Sequence, residues 1–212
     1  MSPQPSDASS SRDRLLQAAK RLFAAHGYEQ TATSAIAREA GTSESQLMRY
    51  FGGKVGLLQA LFDTSWVDLN ARARRSLERE MASHDAILTL LQIITAAFAR
   101  DTDLATLFLF EARRVRSGGR GVQLSKGFVA FTEMVKGVVR TGQQEREIDR
   151  TLDVGAVTAS ILGAVEAMTR ERVLARSSGS RAFADREVRR TVEAMLAGFA
   201  PGARRPRRSR PK

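Results

Sequence analysis

The chain has 212 residues, with 34 Lys and Arg against 23 Asp and Glu, two His, no Cys and a formal net charge of +11. The absence of Cys excludes a disulfide framework, Cys-ligated zinc and iron–sulfur clusters. The two histidines, His26 and His84, are far apart in the sequence, so the chain offers few candidate residues for a metal site or for His-based catalysis. The longest nearly apolar run, residues 86–99, is too short to span a membrane. The N-terminus has no hydrophobic signal segment, and we expect a cytoplasmic protein.

Much of the positive charge lies at the C-terminus. Residues 204–212 (RRPRRSRPK) carry six basic and no acidic residues, whereas residues 1–54 carry a net charge of only +2. This segment contains no aliphatic residue and is predicted to be disordered. It is either a tail that binds nucleic-acid phosphates without sequence preference or a solvated terminus that aids solubility.

Apolar residues recur at three- and four-residue steps, and Pro is absent between residues 5 and 201, which predicts an all-α fold of about nine helices. A disordered arm is expected over residues 1–11. The first four helices are predicted at residues 12–26 (ended by Gly27), 33–40, 44–50 and 54–81. Apolar stripes that begin at Ile87, Leu104 and Leu124 predict three more, and the last two are expected at residues 153–175 and 184–199.

Residues 33–54 (TSAIAREAGTSESQLMRYFGGK) have the spacing of a helix-turn-helix. Ala37 is the small residue at the contact between the helices, and Gly41 supplies the turn. The apolar anchors are Ile36, Ala40 and Leu47. Thr33 is predicted to cap the first helix, and Ser43 with Gln46 predicts a capping box that starts the second. A short capped helix that exposes polar side chains suits the major groove of DNA.

This stretch resembles the DNA-binding motif of the TetR family of bacterial transcriptional regulators. The family pattern appears here as Thr33, Ile36-Ala37, Ala40-Gly41, Ser43, Leu47-Met48-Arg49-Tyr50-Phe51 and Lys54. The resemblance implies a three-helix DNA-binding domain over residues 12–54 and a helical ligand-binding and dimerisation domain over residues 55–200. The composition of residues 201–212 predicts a basic disordered tail. The resemblance also implies that phosphates are contacted by Thr33, Tyr50 and Lys54 and that residues 42–49 read the bases. The predicted DNA-binding residues are Thr33, Thr42, Ser43, Glu44, Ser45, Gln46, Met48, Arg49, Tyr50 and Lys54.

The motif departs from the family pattern at a few positions. Met48 replaces the usual Tyr, so the contact there is expected to be apolar, with a thymine methyl as a candidate partner. Ser45 stands where Gly is frequent, and Gly53 and Val55 replace a polar cap and an acidic residue. The ammonium of Lys54 lies at a helix N-terminus, where it opposes the macrodipole. Together with the free amides it would form an anion site for a DNA phosphate; the alternative is a solvated lysine.

The middle helices are expected to pack a core, and the family resemblance implies a small-molecule cavity among them. Glu111 falls on the apolar stripe of its helix, so its carboxylate needs either a polar cavity or an ion pair, for instance with Arg114. The predicted pocket residues are Trp66, Phe98, Phe108, Glu111, Phe128 and Phe131. Aromatic residues at helical spacing are equally compatible with a closed core.

The last two helices are predicted to form a two-fold interface. The first carries a stripe of small residues, which allows close helix–helix approach, and the second carries a strong apolar face. The predicted interface residues are Ala156, Ser160, Gly163, Ala164, Ala167, Val188, Val192, Met195, Leu196 and Phe199. Packing within one chain is the alternative.

The sequence therefore predicts a homodimeric repressor that binds a pseudo-palindromic operator in double-stranded DNA and is released by an unknown small molecule. It is expected to work at the bacterial nucleoid. We find no Walker loop, dinucleotide-binding glycines, nucleophile elbow or Glu-x-x-His pair, and predict no enzymatic activity, cofactor or metal. The alternative is a helical protein that binds nucleic acids nonspecifically through its basic tail.

Overall fold

The computed structural model describes residues 10–111, 125–179 and 183–202. In these ranges the chain forms nine α-helices, one π-helical turn and no β-strand, which confirms the all-α prediction. The helices are α1 (Ser11–His26), α2 (Thr33–Glu39), α3 (Glu44–Phe51), α4 (Lys54–Leu77), α5 (Ser83–Arg100), α6 (Thr102–Thr106), α7 (Lys126–Gln144), α8 (Val154–Ser178) and α9 (Asp185–Gly198). The π-helical turn, Leu107–Glu111, follows α6 directly, where the sequence predicted a continuous helix. None of the described helices is long and apolar enough to cross a membrane.

The chain divides into two compact units that do not follow chain order. The first unit comprises Met1–Val67 with Asp101–Gly127, and the second comprises Asp68–Arg100 with Phe128–Lys212. Helix α4 contributes its first part to one unit and its remainder to the other. The predicted domains 12–54 and 55–200 stay a prediction. Most of the predicted N-terminal arm and the basic residues 204–212 lie outside the described residues.

In the first unit, α1 to α3 form the predicted helix-turn-helix with its supporting helix. The turn begins at Gly41, whose φ of +62° favours glycine, and the amide of Thr42 donates to the carbonyl of Ala37 at 2.9 Å. The predicted anchors Ile36, Ala40 and Leu47 are all buried. The core of this unit includes Leu15, Ala19, Phe23, Ile36, Leu47, Leu57, Leu58 and Phe62.

Three local predictions need correction. The N-cap residue of α2 is Ala32, whose methyl side chain cannot make a capping bond. Thr33 is the first residue of the helix, and its hydroxyl donates to Glu44. The predicted capping box is half formed: Ser43 Oγ accepts from the amide of Gln46, while the Gln46 side chain bonds Thr42. Helix α4 ends at Leu77, since the polar residues 78–80 that follow carry the chain through a turn into α5.

Helix α4 starts in very close contact with the end of α3. Gly52 ends α3 with a φ of +69°, and its amide donates to the carbonyl of Met48 at 2.8 Å. A Cβ at Gly56 would lie only 1.8 Å from the carbonyl oxygen of Phe51. Gly56 therefore sets how closely α4 approaches the recognition helix.

The second unit has its own hydrophobic core, built from α5, α7, α8 and α9. This cluster contains Ile87, Leu88, Leu91, Val139, Ile148, Val157, Ile161, Val165, Val192 and Leu196. Helix α8 begins at Val154 because Asp153 Oδ1 accepts from the amide of Ala156 at 2.8 Å. It ends at Gly179, which has a φ of +68°.

Candidate nucleic-acid interface

Helix α3 presents one exposed polar face and one buried edge. Leu47 anchors the helix in the core, whereas the side chains predicted to meet DNA point outward or lie at the rim. The exposed members are Ser43, Glu44, Ser45, Met48, Arg49 and Tyr50, and the half-buried ones are Thr33, Thr42, Gln46 and Lys54. Met48 is 55% exposed and Tyr50 is 40% exposed, so both side chains are accessible to a partner. The predicted DNA-binding residues therefore lie together on and beside one helix.

Several of these polar side chains are held in place by hydrogen bonds to one another. Thr33 Oγ1 donates to Glu44 Oε2 at 2.7 Å, which ties the start of α2 to the start of α3. The Thr42 hydroxyl bonds the side-chain oxygen of Gln46. The Arg49 guanidinium lies 5.0 Å from the centre of the Tyr50 ring, and its Nη2 donates to the Tyr50 hydroxyl at 3.3 Å. The face is thus partly ordered before any partner binds.

Lys54 has partners other than the predicted phosphate in this structure. Its Nζ donates to the backbone carbonyls of Tyr28, Glu29 and Thr31 at 3.0, 3.3 and 3.2 Å. The ammonium also lies 4.5 Å from the centre of the Tyr28 ring. The dipoles of these carbonyls therefore face the positive charge at the start of α4. The phosphate role of Lys54 stays a prediction.

Sequence reasoning missed the residues that brace the helix-turn-helix from α1. Arg14 Nε donates to the carbonyl of Ala40 at 3.0 Å, beside the turn, and Arg21 pairs with Glu39 at 2.8 Å. The Arg12 guanidinium lies 5.4 Å from the ring centre of Phe51. Arg12, Arg14 and Arg21 are charges in an amphipathic helix, and the sequence contains no signal for the distant groups that they contact.

A further contact missed from the sequence joins α1 to the start of α6. Lys20 Nζ lies 2.5 Å from Asp101 Oδ2, and the other carboxylate oxygen, Oδ1, accepts from the amide of Leu104 at 2.9 Å. Asp101 therefore caps α6 and pairs with α1 at the same time. Lys20 and Asp101 are 81 positions apart, so no local sequence pattern indicates that they pair.

The predicted pocket residues fall in different parts of the two units. In the first unit, Trp66 is buried and Phe108 packs against it with ring centres 5.3 Å apart. In the second unit, Phe131 is fully buried, while Phe98 and Phe128 are half-buried. Glu111 belongs to the π-helical turn, its side chain is outside the described part of the structure, and so is its suggested partner Arg114. The pocket stays a prediction.

The predicted dimer residues separate into two groups. On α8, Ala156, Ser160, Gly163 and Ala167 are exposed and Ala164 is half-buried, so the stripe of small residues faces outward. On α9, Val188, Val192 and Leu196 are buried in their own chain, with Met195 and Phe199 packed at the edge of the same core. Val192 and Leu196 belong to the core of the second unit and Val188 is buried as well, so burial within the chain already accounts for these three residues; their interface role stays a prediction.

Comparison with known proteins agrees with this geometry. Residues 15–61 match the family model described as bacterial regulatory proteins, tetR family. The chain is 23% identical over 153 residues to the fatty acid metabolism regulator protein of Bacillus subtilis, covering 72% of this chain and 78% of that protein. It is 25% identical over 167 residues to the nucleoid occlusion factor SlmA of Vibrio vulnificus, covering 76% and 83%.

The fold is also found in a solved structure. The transcriptional regulator FadR from Bacillus subtilis, determined in complex with stearoyl-CoA, superposes with a TM-score of 0.78 at 19% identity, covering 89% of this chain and 99% of FadR. At that identity the likeness shows the fold.

The helix-turn-helix with an exposed recognition helix, followed by a helical core, defines a DNA-binding transcriptional regulator. Its residues 15–61 carry the sequence features of the tetR family of bacterial regulatory proteins.

Proposed function

We propose that this protein is a homodimeric repressor that binds a pseudo-palindromic operator through α3 and leaves it when a small molecule binds in the helical region 55–200. The observation that carries the DNA-binding part is the exposed face of α3. There Gln46, Arg49 and Tyr50 lie on one side of a helix anchored by the buried Leu47. Amide and guanidinium groups in this position match the donors and acceptors of base edges in the major groove.

Dimerisation follows from the size of the recognition helix and from the surface of α8. One α3 of eight residues contacts too few base pairs for useful specificity, so two copies must bind two half-sites. The exposed small residues of α8 allow a second copy of that helix to approach closely. A Cβ at Gly163 has no atom within 4 Å in the single chain, which leaves space for a partner.

The ligand that we propose is an acyl-coenzyme A thioester. The relative in Bacillus subtilis is a fatty acid metabolism regulator, and FadR, with the same fold, was determined with stearoyl-CoA. The candidate pocket residues in the second unit, Phe98, Phe128 and Phe131, are aromatic and would suit an acyl chain. The protein would act at the nucleoid in the bacterial cytoplasm and would not catalyse a reaction.

The test is selection of DNA fragments that the full-length protein retains, followed by fluorescence anisotropy with the best duplex and a random duplex. We expect the selected duplex to bind at least about 1,000-fold more tightly than random DNA. Gln46→Ala and Arg49→Ala should relax the sequence preference at particular base pairs, whereas Tyr50→Phe should weaken both duplexes to a similar degree. Equal affinity for both duplexes with the wild-type protein would contradict the proposal.

The alternative, nonspecific binding through the basic tail, is separated by the same assay on a variant that lacks residues 204–212. A specific regulator keeps its preference for the selected duplex and loses mainly salt-dependent affinity. A protein that works through the tail loses nearly all binding. The similarity to the nucleoid occlusion factor SlmA makes a role in nucleoid occlusion a second candidate, which a reporter gene placed behind the selected duplex distinguishes from repression.

A further inference from the structure

The first residue of α4 is bonded to the loop that precedes the helix-turn-helix. Lys54 Nζ reaches three carbonyl oxygens, those of Tyr28, Glu29 and Thr31, at 3.0 to 3.3 Å. An ammonium has three N–H donors, so this set of carbonyls uses its full donor capacity. The lysine and the loop are more than 20 residues apart in the sequence, and the contact is therefore tertiary.

The aromatic ring of Tyr28 closes the remaining side of the ammonium. Lys54 Nζ lies 4.5 Å from the ring centre, within cation–π range. The Tyr28 ring packs in turn on Phe23, with 5.3 Å between ring centres, and Phe23 is buried in the core. Burial, with a smaller effect from the charge of Glu29, raises the pKa of Tyr28, so the phenol is neutral at physiological pH.

The loop is fixed at its other end by a buried threonine. Thr31 is 4% exposed, and its Oγ1 lies 2.8 Å from the carbonyl oxygen of Gly27 and 3.2 Å from that of Leu22, both at the end of α1. Helix α2 begins at Thr33, two residues later. The end of α1, the start of α2 and the start of α4 are thus connected through a few groups around Lys54.

These bonds compete with the predicted contact between Lys54 and DNA. To bind a phosphate oxygen, the ammonium must give up at least one of its three carbonyls, and the loop would lose a bond to a charged group. The three carbonyl partners are supplied by the protein itself. The geometry therefore gives Lys54 a role in the free protein.

We propose that Lys54 is a positioning residue that fixes the α1–α2 loop, and with it the start of the helix-turn-helix, to the first turn of α4. Its effect on operator recognition rests on the proposed function. Its effect on the loop does not, and it is measured without DNA.

The first measurement is hydrogen–deuterium exchange of the loop amides in the full-length, DNA-free protein. Lys54→Met keeps the aliphatic chain and removes the ammonium. We expect the amides of residues 28–32 to exchange at least about tenfold faster, because several bonds to a charged group are lost. Arg38→Met is the matched control, since it removes one positive charge from an exposed position on α2 and should leave these amides as in the wild type.

A second variant keeps the test decisive if Lys54→Met does not fold. Tyr28→Leu removes the ring beside the ammonium while leaving the three carbonyls in place, and we expect a smaller acceleration confined to the same residues. Lys54→Arg retains the charge and several donors and should restore most of the protection. Wild-type exchange rates in Lys54→Met, or in Tyr28→Leu where Lys54→Met does not fold, would overturn the proposal.

The second measurement separates positioning from phosphate binding. The slope of log K against log salt concentration is negative, and loss of one phosphate contact reduces its magnitude by about 0.9. A positioning residue leaves that slope unchanged and reduces the ratio of affinities for selected and random duplex, since the recognition helix is displaced. A slope in Lys54→Met that is less steep by this amount, with an unchanged ratio of affinities for selected and random duplex and with wild-type loop exchange, would show a phosphate contact and overturn the proposal.

Discussion

In the first unit, two residues at the start of α4 make close contacts that depend on their individual size and charge. Gly56 allows the backbone of α4 to lie against the carbonyl of Phe51. Lys54, in the same helical turn, bonds the loop before α2. Both residues lie where the recognition helix meets the long helix that continues into the second unit. The orientation of α3 therefore depends on a few atoms at this junction.

At this scale we predict that Gly56→Ala is strongly destabilising. The added Cβ would lie 1.8 Å from a backbone oxygen, so helices must move apart. The expected loss in the free energy of unfolding is about 3 kcal/mol or more. Urea denaturation followed by circular dichroism measures it.

The control for this prediction is Gly137→Ala in α7, where an added Cβ has no atom within 4 Å. That change should stabilise the protein by up to about 1 kcal/mol, since Ala is the better helix former. Equal stability changes in the two variants would contradict the packing argument.

The sequence predicted a dimer interface on both α8 and α9, but the two helices differ in which residues they bury. Helix α9 uses Val192 and Leu196 for the core of its own unit, while α8 turns Val157 and Ile161 inward and its small residues outward. A dimer formed through this region therefore depends mainly on α8. The apolar pattern of α9 indicates burial, and burial within the chain and burial in an interface produce the same pattern.

The prediction at this scale is that Gly163→Leu converts the proposed dimer into a monomer. The side chain has space in the single chain but would block close approach of a second α8. Sedimentation velocity should give one-chain particles of about 23 kDa in place of a species of twice that mass. The same substitution at Gly137 on α7 should leave the mass unchanged, and a dimeric Gly163→Leu variant would exclude this face.

For the whole molecule, DNA binding and ligand binding must be coupled across a chain whose two compact units interleave in sequence. Residues 101–127 return to the first unit after α5, and there Asp101 pairs with Lys20 of α1 at 2.5 Å. In addition, Phe108 packs against Phe62 of α4 with ring centres 5.0 Å apart. A ligand that changes the π-helical turn or α6 would therefore act on helices that hold the DNA-binding motif.

We predict at this scale that an acyl-CoA weakens operator binding. With selected duplex in an anisotropy assay, saturating stearoyl-CoA should raise the dissociation constant by about 5- to 150-fold, the usual range of a coupling of 1–3 kcal/mol. Free coenzyme A at the same concentration serves as the control for the charged nucleotide part. Equal effects of both compounds, or no effect of either, would rule out an acyl-CoA effector.

The sequence by itself determined the all-α class, the approximate positions of most helices and the recognition motif. Gly41, Ser43 and Leu47 act through contacts within a few residues, and short-range spacing is directly visible in a sequence. The exposed face of α3 follows from the same periodicity, and its polar members are those predicted.

Only the tertiary structure decided which partners the charged and apolar side chains take. The three carbonyls around Lys54, the bond from Arg14 to Ala40 and the pairing of Lys20 with Asp101 all join residues more than 20 positions apart. Val192 is assigned to the core for the same reason, because its neighbours come from other helices. Helical periodicity shows that a side chain is buried or charged, but its partner depends on how distant segments pack.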